Sequence, residues 1–393
     1  MSVKVYIPCD AAALSMGAED VAEAIAAQGG DDVTIIRNGS RGMLWLEPLV
    51  EVETRKGRVA YGPVSAGDVK SLFKADFLSG GTHKLSHGLT EEIDYLKNQE
   101  RLTFARVGIT DPLSLDEYKA HDGMAGLKNA LSMEAVLSSG LRGRGGAGFP
   151  TGIKWKTALA QRISDDEGGQ KYICANADEG DSGTFADRML MEGDPFCLIE
   201  GLIIGGYAIG ANTGYVYIRS EYPHAIRTMR RAIKICEDAG YLGENIQGSG
   251  VTFNLYVRVG AGAYICGEES SMLESLEGKR GEVKVKPPIP AISGLFNKPT
   301  IINNVLTLGS VPIILDKGAD YYADFGQGRS KGTQPFQLAG DIKQGGLVEK
   351  AFGVTMRDLV EGFGGGTRSG RPVRAGQAGR KRRHARPWRA GRV

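Results

Sequence analysis

From residue 172 to residue 276 the chain passes three times from a short apolar run to a longer helical pattern. Nothing else in the sequence limits the fold as much. Residues 172–176, 214–219 and 251–259 read as strands. Residues 186–211, residues 224–239 and a helix opening over 269–276 follow them in turn. Each helix must carry the chain back to the same end of the sheet, so the strands pair in parallel and helices cover both faces. The most apolar stretch, 196–211, is too short for a membrane span and contains Glu200, so it reads as a buried helix.

Two smaller regions flank this α/β unit. Residues 1–75 read as a small α/β domain, with strands at 3–7 and 33–37 and a helical pattern that begins near Ala18. Segments 49–53 and 58–61 flank Lys56-Gly57 and predict a hairpin. Ser65 starts a last helix with Asp68 at the capping-box position. Residues 76–125 are polar and mixed and read as a connector with short helices. Beyond residue 333 a strand at 336–339 and a helix at 355–361 begin another unit.

Glycine supplies 57 of the 393 residues without a Gly-X-Y period, which excludes collagen. The glycines gather at 143–152, 260–267 and 362–366, and the first two groups suit loops that let backbone approach a ligand. The net charge of +2 hides an asymmetry. Residues 368–393 hold ten Lys and Arg and no Asp or Glu, leaving 38 basic against 46 acidic residues elsewhere. No recognisable nucleic-acid module adjoins this tail, so nucleic acid is not an expected partner. The N-terminal residues lack the basic-then-apolar pattern of a signal peptide. The five cysteines (Cys9, Cys174, Cys197, Cys236 and Cys266) form no CxxC pair. They argue against a disulfide framework or a self-contained metal site, and fit a reducing cytoplasm.

Gly143-Arg144-Gly145-Gly146-Ala147-Gly148 fits G-x-G-x-x-G. A dinucleotide fingerprint needs a strand before it and a helix directly after it. Here residues 133–141 read as helix, and Phe149-Pro150-Thr151-Gly152 postpones the next helix, so the ordinary fingerprint is rejected. Either this is a surface loop, or its amides face a phosphate or flavin with help from Arg142, Arg144 and Lys154. Three other segments are equally two-sided. Asn176-Ala177-Asp178-Glu179-Gly180-Asp181 follows a strand, where acids suit a ligand but also a turn or helix cap. GAGAYICGEE at 260–269 ends in acids that complement a helix dipole. Thr300-Ile301-Ile302-Asn303-Asn304 suits a cap on the next helix. Four such segments in one α/β unit favour a shared site.

Together, GLRGRGGAGFPTGIKW (140–155), CANADEGDSGTFADR (174–188), GAYICGEE (262–269) and KPTIINNVLT (298–307) carry a family resemblance. They resemble the flavin- and NADH-binding subunit of respiratory complex I and its soluble relatives, over about residues 125–375. DEGDSGTFADRMLMEGDPF is most similar to the beta subunit of soluble, molybdenum-containing NAD-dependent formate dehydrogenase. Subunits of complex I and of NAD-reducing hydrogenase usually carry Pro where this chain has Ser182.

The resemblance implies an α/β chain whose Rossmann-like FMN domain, at 126–333, has a parallel sheet. A thioredoxin-like domain lacking cluster cysteines would precede it at 1–75. A truncated ubiquitin-like (β-grasp) unit would follow at 334–374, then a basic tail at 375–393 outside the family pattern. It implies FMN and NAD(H) as cofactors. The backbone of Gly143, Gly145 and Gly146, with Arg144 and Lys154, would hold FMN. Asn176, Asp178, Asn303, Asn304 and Thr307 would bind its ribityl chain and phosphate, and Tyr264, Gly267 and Glu268 would line the flavin. Glu179, Asp181 and Glu269 would border the nicotinamide nucleotide, Glu179 and Glu269 moderating its affinity. Phe149 would stack on it and Lys286 would lie near it. Ile289 and Thr157 stand where complex I subunits commonly have Phe.

The implied activity is hydride exchange between NAD(H) and FMN, with electrons passed to or from iron–sulfur partners. The implied partners are a molybdenum-containing formate dehydrogenase alpha subunit and a [2Fe–2S] gamma subunit. The rival readings are the same subunit of complex I or of NAD-reducing hydrogenase, or an inactive assembly subunit. Family members also carry a [4Fe–4S] cluster in a helical bundle. No cysteine follows Cys266, so its ligands are absent from this chain. The Gly/Arg-rich residues 376–393 read as a shifted frame or a premature end.

Overall fold

The computed structural model describes residues 2–129, 133–162, 169–376 and 386–387. They fall into two units, 1–112 with 335–393, and 113–334.

In the first unit five strands form one sheet in the order β2-β1-β3-β4-β5. Strand β1 (Val3–Pro8) pairs in parallel with β2 (Val33–Asn38), and antiparallel with β3 (Val50–Thr54). Alternation places Val5, Ile7, Val50 and Val52 in the core, against Val21, Ala22 and Ile25 of helix α1 (Ala18–Gly29). The hairpin to β4 (Gly57–Tyr61) closes through Arg55-Lys56, with Gly57 at φ +122° supplying the left-handed turn. Ser65 and Asp68 form the expected capping box ahead of α2 (Val69–Lys74).

Of the supposed connector, residues 76–112 belong to this unit and 113–125 to the second. Ser86–Leu89 forms edge strand β5 against β4. Its half-exposed Ser-His-Gly-Leu sequence has no apolar alternation to announce a strand. Residues 98–111 are held instead by buried polar bonds. Glu349 accepts from the amides of Thr103 and Phe104 at 2.9 Å, and Asn38 donates to the Gly108 carbonyl at 2.7 Å. A separate two-stranded sheet joins Thr333–Leu338 to Gly346–Ala351. The helix expected at 355–361 becomes a wide π turn over Asp358–Phe363, burying Leu359 and Phe363.

In the second unit the expected alternation folds into a four-stranded, all-parallel sheet. Strands β6 (Tyr172–Ala177), β7 (Thr213–Ile218), β8 (Asn254–Val259) and β9 (Thr300–Asn304) lie in the order β8-β7-β6-β9. Among the helices that precede the sheet are α3 (Met133–Ser138) and α4 (Thr151–Leu159). Between its strands run α5 (Ala186–Gly193), α6 (Pro195–Ile209), α7 (Pro223–Asp238) and α8 (Glu269–Leu276), and α9 (Val305–Gly309) follows β9. Helix α6 is buried almost all round. A Cβ on Gly201 would lie 2.2 Å from the Leu308 carbonyl oxygen, and one on Gly205 would lie 3.1 Å from the Trp155 ring. Glycine at these positions is what lets α9 and α4 pack onto α6. Among the described residues no helix is long and apolar enough to cross a membrane.

Candidate functional site

The order of the parallel sheet locates the site. From β6 the chain proceeds to β7 on one side, while β9 arrives on the other, so the topology reverses between β6 and β9. Open α/β sheets bind ligands at the carboxyl ends of strands beside such a reversal. There Ala175 is in register with Asn303 and Asn176 with Asn304.

The glycine loop lies against this point. The helix α3, not a strand, precedes it, as the sequence led us to expect. The next helix is postponed by Phe149 and Pro150 alone, not by all four residues: α4 begins at Thr151. Gly152 allows this, because a Cβ there would meet the Leu137 side chain at 2.7 Å. The loop is closed at its base, where Gly143 donates to the Phe149 carbonyl and Thr151 to the Leu141 carbonyl, both at 2.9 Å. The Arg144 amide donates to the buried Thr307 hydroxyl at 2.9 Å. A Cβ on Gly145 would sit 3.2 Å from Cβ of Asn304. At the exposed tip, Gly145, Gly146 and Ala147 offer nothing larger than a methyl, and Gly146 stands at φ +109°. A backbone this bare admits a phosphate or a flat ring at van der Waals distance. The Arg144 guanidinium is used within the protein, donating to the Tyr322 hydroxyl and the Lys331 carbonyl at 2.7 Å each. It braces the loop.

Asn303 is 6% exposed and its Oδ1 accepts from the Trp155 indole at 2.8 Å, which orients the amide. Asn304 caps α9 by accepting from the Leu306 amide at 2.9 Å, and donates to Asp187 at 2.7 Å. Beside them Lys154 donates to the Ile302 carbonyl at 2.6 Å and to Glu269 at 3.1 Å. Lys286 bridges Glu269 at 2.7 Å and Glu268 at 3.0 Å. Glu268 also caps α8 through the amides of Ser270 and Ser271. Burial works to raise the pKa of Glu269, but Lys154 and Lys286 outweigh it and hold the group below its ordinary value. Burial is likewise outweighed at Glu268, by Ser270, the Ser271 amide and Lys286.

A third cluster lies past the end of β6. Asn176 donates to the Gly267 carbonyl at 3.0 Å, and the Asp178 amide donates to Asn176 at 3.1 Å. Burial, helped by Glu221 and opposed by Arg219, pushes the Asp178 carboxyl up to about 6. Tyr264, 65% exposed, covers Gly180 and donates to Asp181 at 2.7 Å. Phe149 is 54% exposed, free to meet a flat ligand from the loop's base.

Glu179 departs from expectation. Its carboxylate accepts from the amides of Asp187 and Arg188 at 3.2 Å each and from the Tyr222 hydroxyl at 3.1 Å. It serves as a side-chain cap on α5, because free helix amides are the strongest acceptor-seekers within its reach. Sequence reasoning also missed Trp155, Asp187, Arg219 and Tyr322. The first two lie inside the quoted motifs GIKW and TFADR, and that was the one signal available. Arg219 donates to the Glu179 carbonyl from the end of β7. Among the described residues no group of three or more His, Cys, Asp and Glu could hold a metal ion.

A parallel α/β sheet with a bare glycine loop laid over its switch point, and flanked by lysines, defines a nucleotide- or flavin-binding domain. Residues 136–313 match the family model described as the Nuo51 FMN-binding domain. The chain is 48% identical over 289 residues to the NADP-reducing hydrogenase subunit HndC of Solidesulfovibrio fructosivorans, covering 72% of this chain and 58% of that one. It is 48% identical over 283 residues to a subunit of the NADH-quinone oxidoreductase of Rhizobium meliloti (strain 1021), covering 70% and 66%. Its structure is similar to the crystal structure of NAD+-reducing [NiFe]-hydrogenase in the air-oxidized state, with a TM-score of 0.62 and 26% identity. That match covers 98% of this chain and 65% of the other. The chain belongs to the family of complex I flavin-binding subunits, and spans between 58% and 66% of the length of these two curated relatives.

Proposed function

We propose that this chain is a diaphorase subunit, an NAD(H)-dependent flavoprotein oxidoreductase that works with iron–sulfur partners. The observation that carries the reading is the glycine loop bound to the switch point, with the Arg144 amide on Thr307 and Gly145 against Asn304. Bound FMN would supply the chemistry, taking hydride from a nicotinamide and exchanging electrons singly with clusters. The chain's own residues bind and orient. The loop backbone of Gly143, Gly145 and Gly146, with Asn303, Asn304 and Thr307, receives the phosphate and ribityl end. Asn176 and Asp178 meet the ribityl chain as well, and Tyr264, Gly267 and Glu268 line the ring. Lys154, Glu268, Glu269 and Lys286 form a charge-balanced wall, with Glu269 and Lys286 toward the nucleotide, Asp181 at its edge and Phe149 over it. No side chain need act as a general acid, because hydride transfer rests on stacking geometry. Glu179 acts by ordering the acidic loop.

A formate-oxidising assembly is the particular setting we favour, with a molybdenum-containing alpha subunit and a [2Fe–2S] gamma subunit. Ser182 in DEGDSGTFADR is the feature that supports it. The parallel β1–β2 pair flanked by antiparallel strands supports a cluster-free, thioredoxin-like docking domain. The sheet of Thr333–Leu338 and Gly346–Ala351 supports a partial ubiquitin-like unit. Five cysteines without a disulfide among them suit the cytoplasm.

The test is direct. The purified chain is mixed with FMN, freed of unbound flavin, and its absorption recorded before and after NADH is added without air. Retained flavin absorbance that bleaches with NADH is expected. Retention without bleaching refutes the nucleotide site, and a colourless folded protein refutes the whole reading.

A further inference from the structure

We propose that Asp187 is a positioning residue that ties the acidic loop to the glycine loop through Asn304. The geometry is a relay of short contacts. Glu179 grips the amides of Asp187 and Arg188. Asp187, 3% exposed, accepts from the side-chain amide of Asn304 at 2.7 Å. Asn304 packs against Gly145, and three residues further on Thr307 holds the Arg144 amide. Asp187 is therefore the one side chain in this relay that joins the loop after β6 to the loop over the switch point.

Two carboxyl groups at the start of one buried helix turn cannot both ionise without cost. The groups around the pair do not cancel that cost. From the start of α7 the Tyr222 hydroxyl reaches Glu179. The guanidinium groups of Arg188 and Arg219 lie over the Tyr222 ring, 5.6 and 5.0 Å from its centre. From the β9 side the neutral amide of Asn304 meets Asp187. Burial and the charge of Glu179 push the Asp187 carboxyl well above its ordinary range, and burial raises Glu179 as well. With the proton present, Asp187 keeps an oxygen on Asn304 without repulsion. When the proton is lost as pH rises, the two charges separate and Asn304 loses its anchor. The site's hold on a flavin phosphate then weakens with rising pH.

The flavin arm of the test rests on the FMN reading; the proton arm does not. In flavin-free protein, infrared spectroscopy over a pH series should show a protonated carboxyl band that persists well above the pH at which an ordinary aspartate ionises. That band should shift on labelling of Asp with carbon-13 at the side-chain carboxyl, and disappear in Asp187→Asn. The labelled wild type keeps the test valid even where the variant folds poorly. FMN affinity, read from quenching of flavin fluorescence over about pH 5 to 9, should fall in the wild type by up to about tenfold per pH unit above proton loss. Asp187→Asn keeps an oxygen for Asn304 and should make that profile flat, whereas Asp187→Ala should weaken FMN about tenfold at every pH. Absence of the labelled band, or a variant profile that follows the wild type, overturns the proposal. A wild type that shows the band but binds no FMN at any pH leaves the raised Asp187 carboxyl standing and refutes the flavin reading instead.

Discussion

Replacing Glu200 probes how the second unit is anchored. This carboxylate is fully buried on the most apolar helix of the chain, α6. It accepts from the Tyr118 hydroxyl at 2.5 Å and from the amides of Met124 and Leu127 at 2.8 Å each. It thereby pins residues 118–127 to α6, including Met124 at φ +61°, a conformation that costs a non-glycine residue energy. Glu200→Ala leaves two buried donors and one partly buried donor without this acceptor. Hydrogen bonds to a charged group contribute about 1.5–3 kcal/mol each, but three on one carboxylate are not additive. A buried donor left without an acceptor costs about 1–3 kcal/mol, so we expect a loss of about 4 kcal/mol in all. Glu200→Gln preserves the shape but turns an NH2 group toward one of the donors, for a loss of about 2 kcal/mol. Urea unfolding followed by tryptophan fluorescence suits the measurement, because Trp155 packs on α6 at Gly205. The midpoint should fall at unchanged slope. A loss below about 1 kcal/mol for the alanine variant, or equal losses for both variants, would refute the anchoring role.

Three further outcomes are expected. Thr307→Val keeps the side-chain volume but removes the acceptor for the Arg144 amide, so FMN affinity should fall about five- to tenfold; an unchanged Kd contradicts the role given to that bond. Glu269 is held below its ordinary pKa by Lys154 and Lys286 against the effect of burial. Its contribution to stability is therefore present at neutral pH and is lost as pH falls through the folded value. Glu269→Gln should flatten the acid limb of a plot of Tm against pH, and parallel limbs would exclude this coupling. Lys171, whose pKa burial lowers, donates to the last carbonyls of α4, those of Ala158 and Leu159, at 2.9 and 3.0 Å. Lys171→Met should cost about 1 kcal/mol in urea unfolding, and an unchanged midpoint would rule out the cap.

What the sequence determined by itself is what local periodicity encodes. The strand–helix alternation from residue 172 appears in the fold as β6 to α8, and α8 occupies Glu269–Leu276 as read. The capping box at Ser65 and Asp68 is local too, since both partners lie within one turn. The motifs also brought Gly145, Asn304 and Thr307 into one neighbourhood, which the strand order then explained. The sequence could not say which acid meets which donor. Glu179 reads as a ligand-facing acid until the fold brings the amides of α5 within 3.2 Å of it. Asp187 drew no assignment from the sequence, because its partner Asn304 lies 117 residues away. Glu200 reads only as a flaw in an apolar run until Tyr118, Met124 and Leu127 converge on it. Strand β5 escaped notice because backbone pairing with β4, not side-chain pattern, makes it a strand. Each of these features depends on groups far apart in the chain, and only the tertiary structure brings them within hydrogen-bonding distance, where burial makes an unmet donor or acceptor costly.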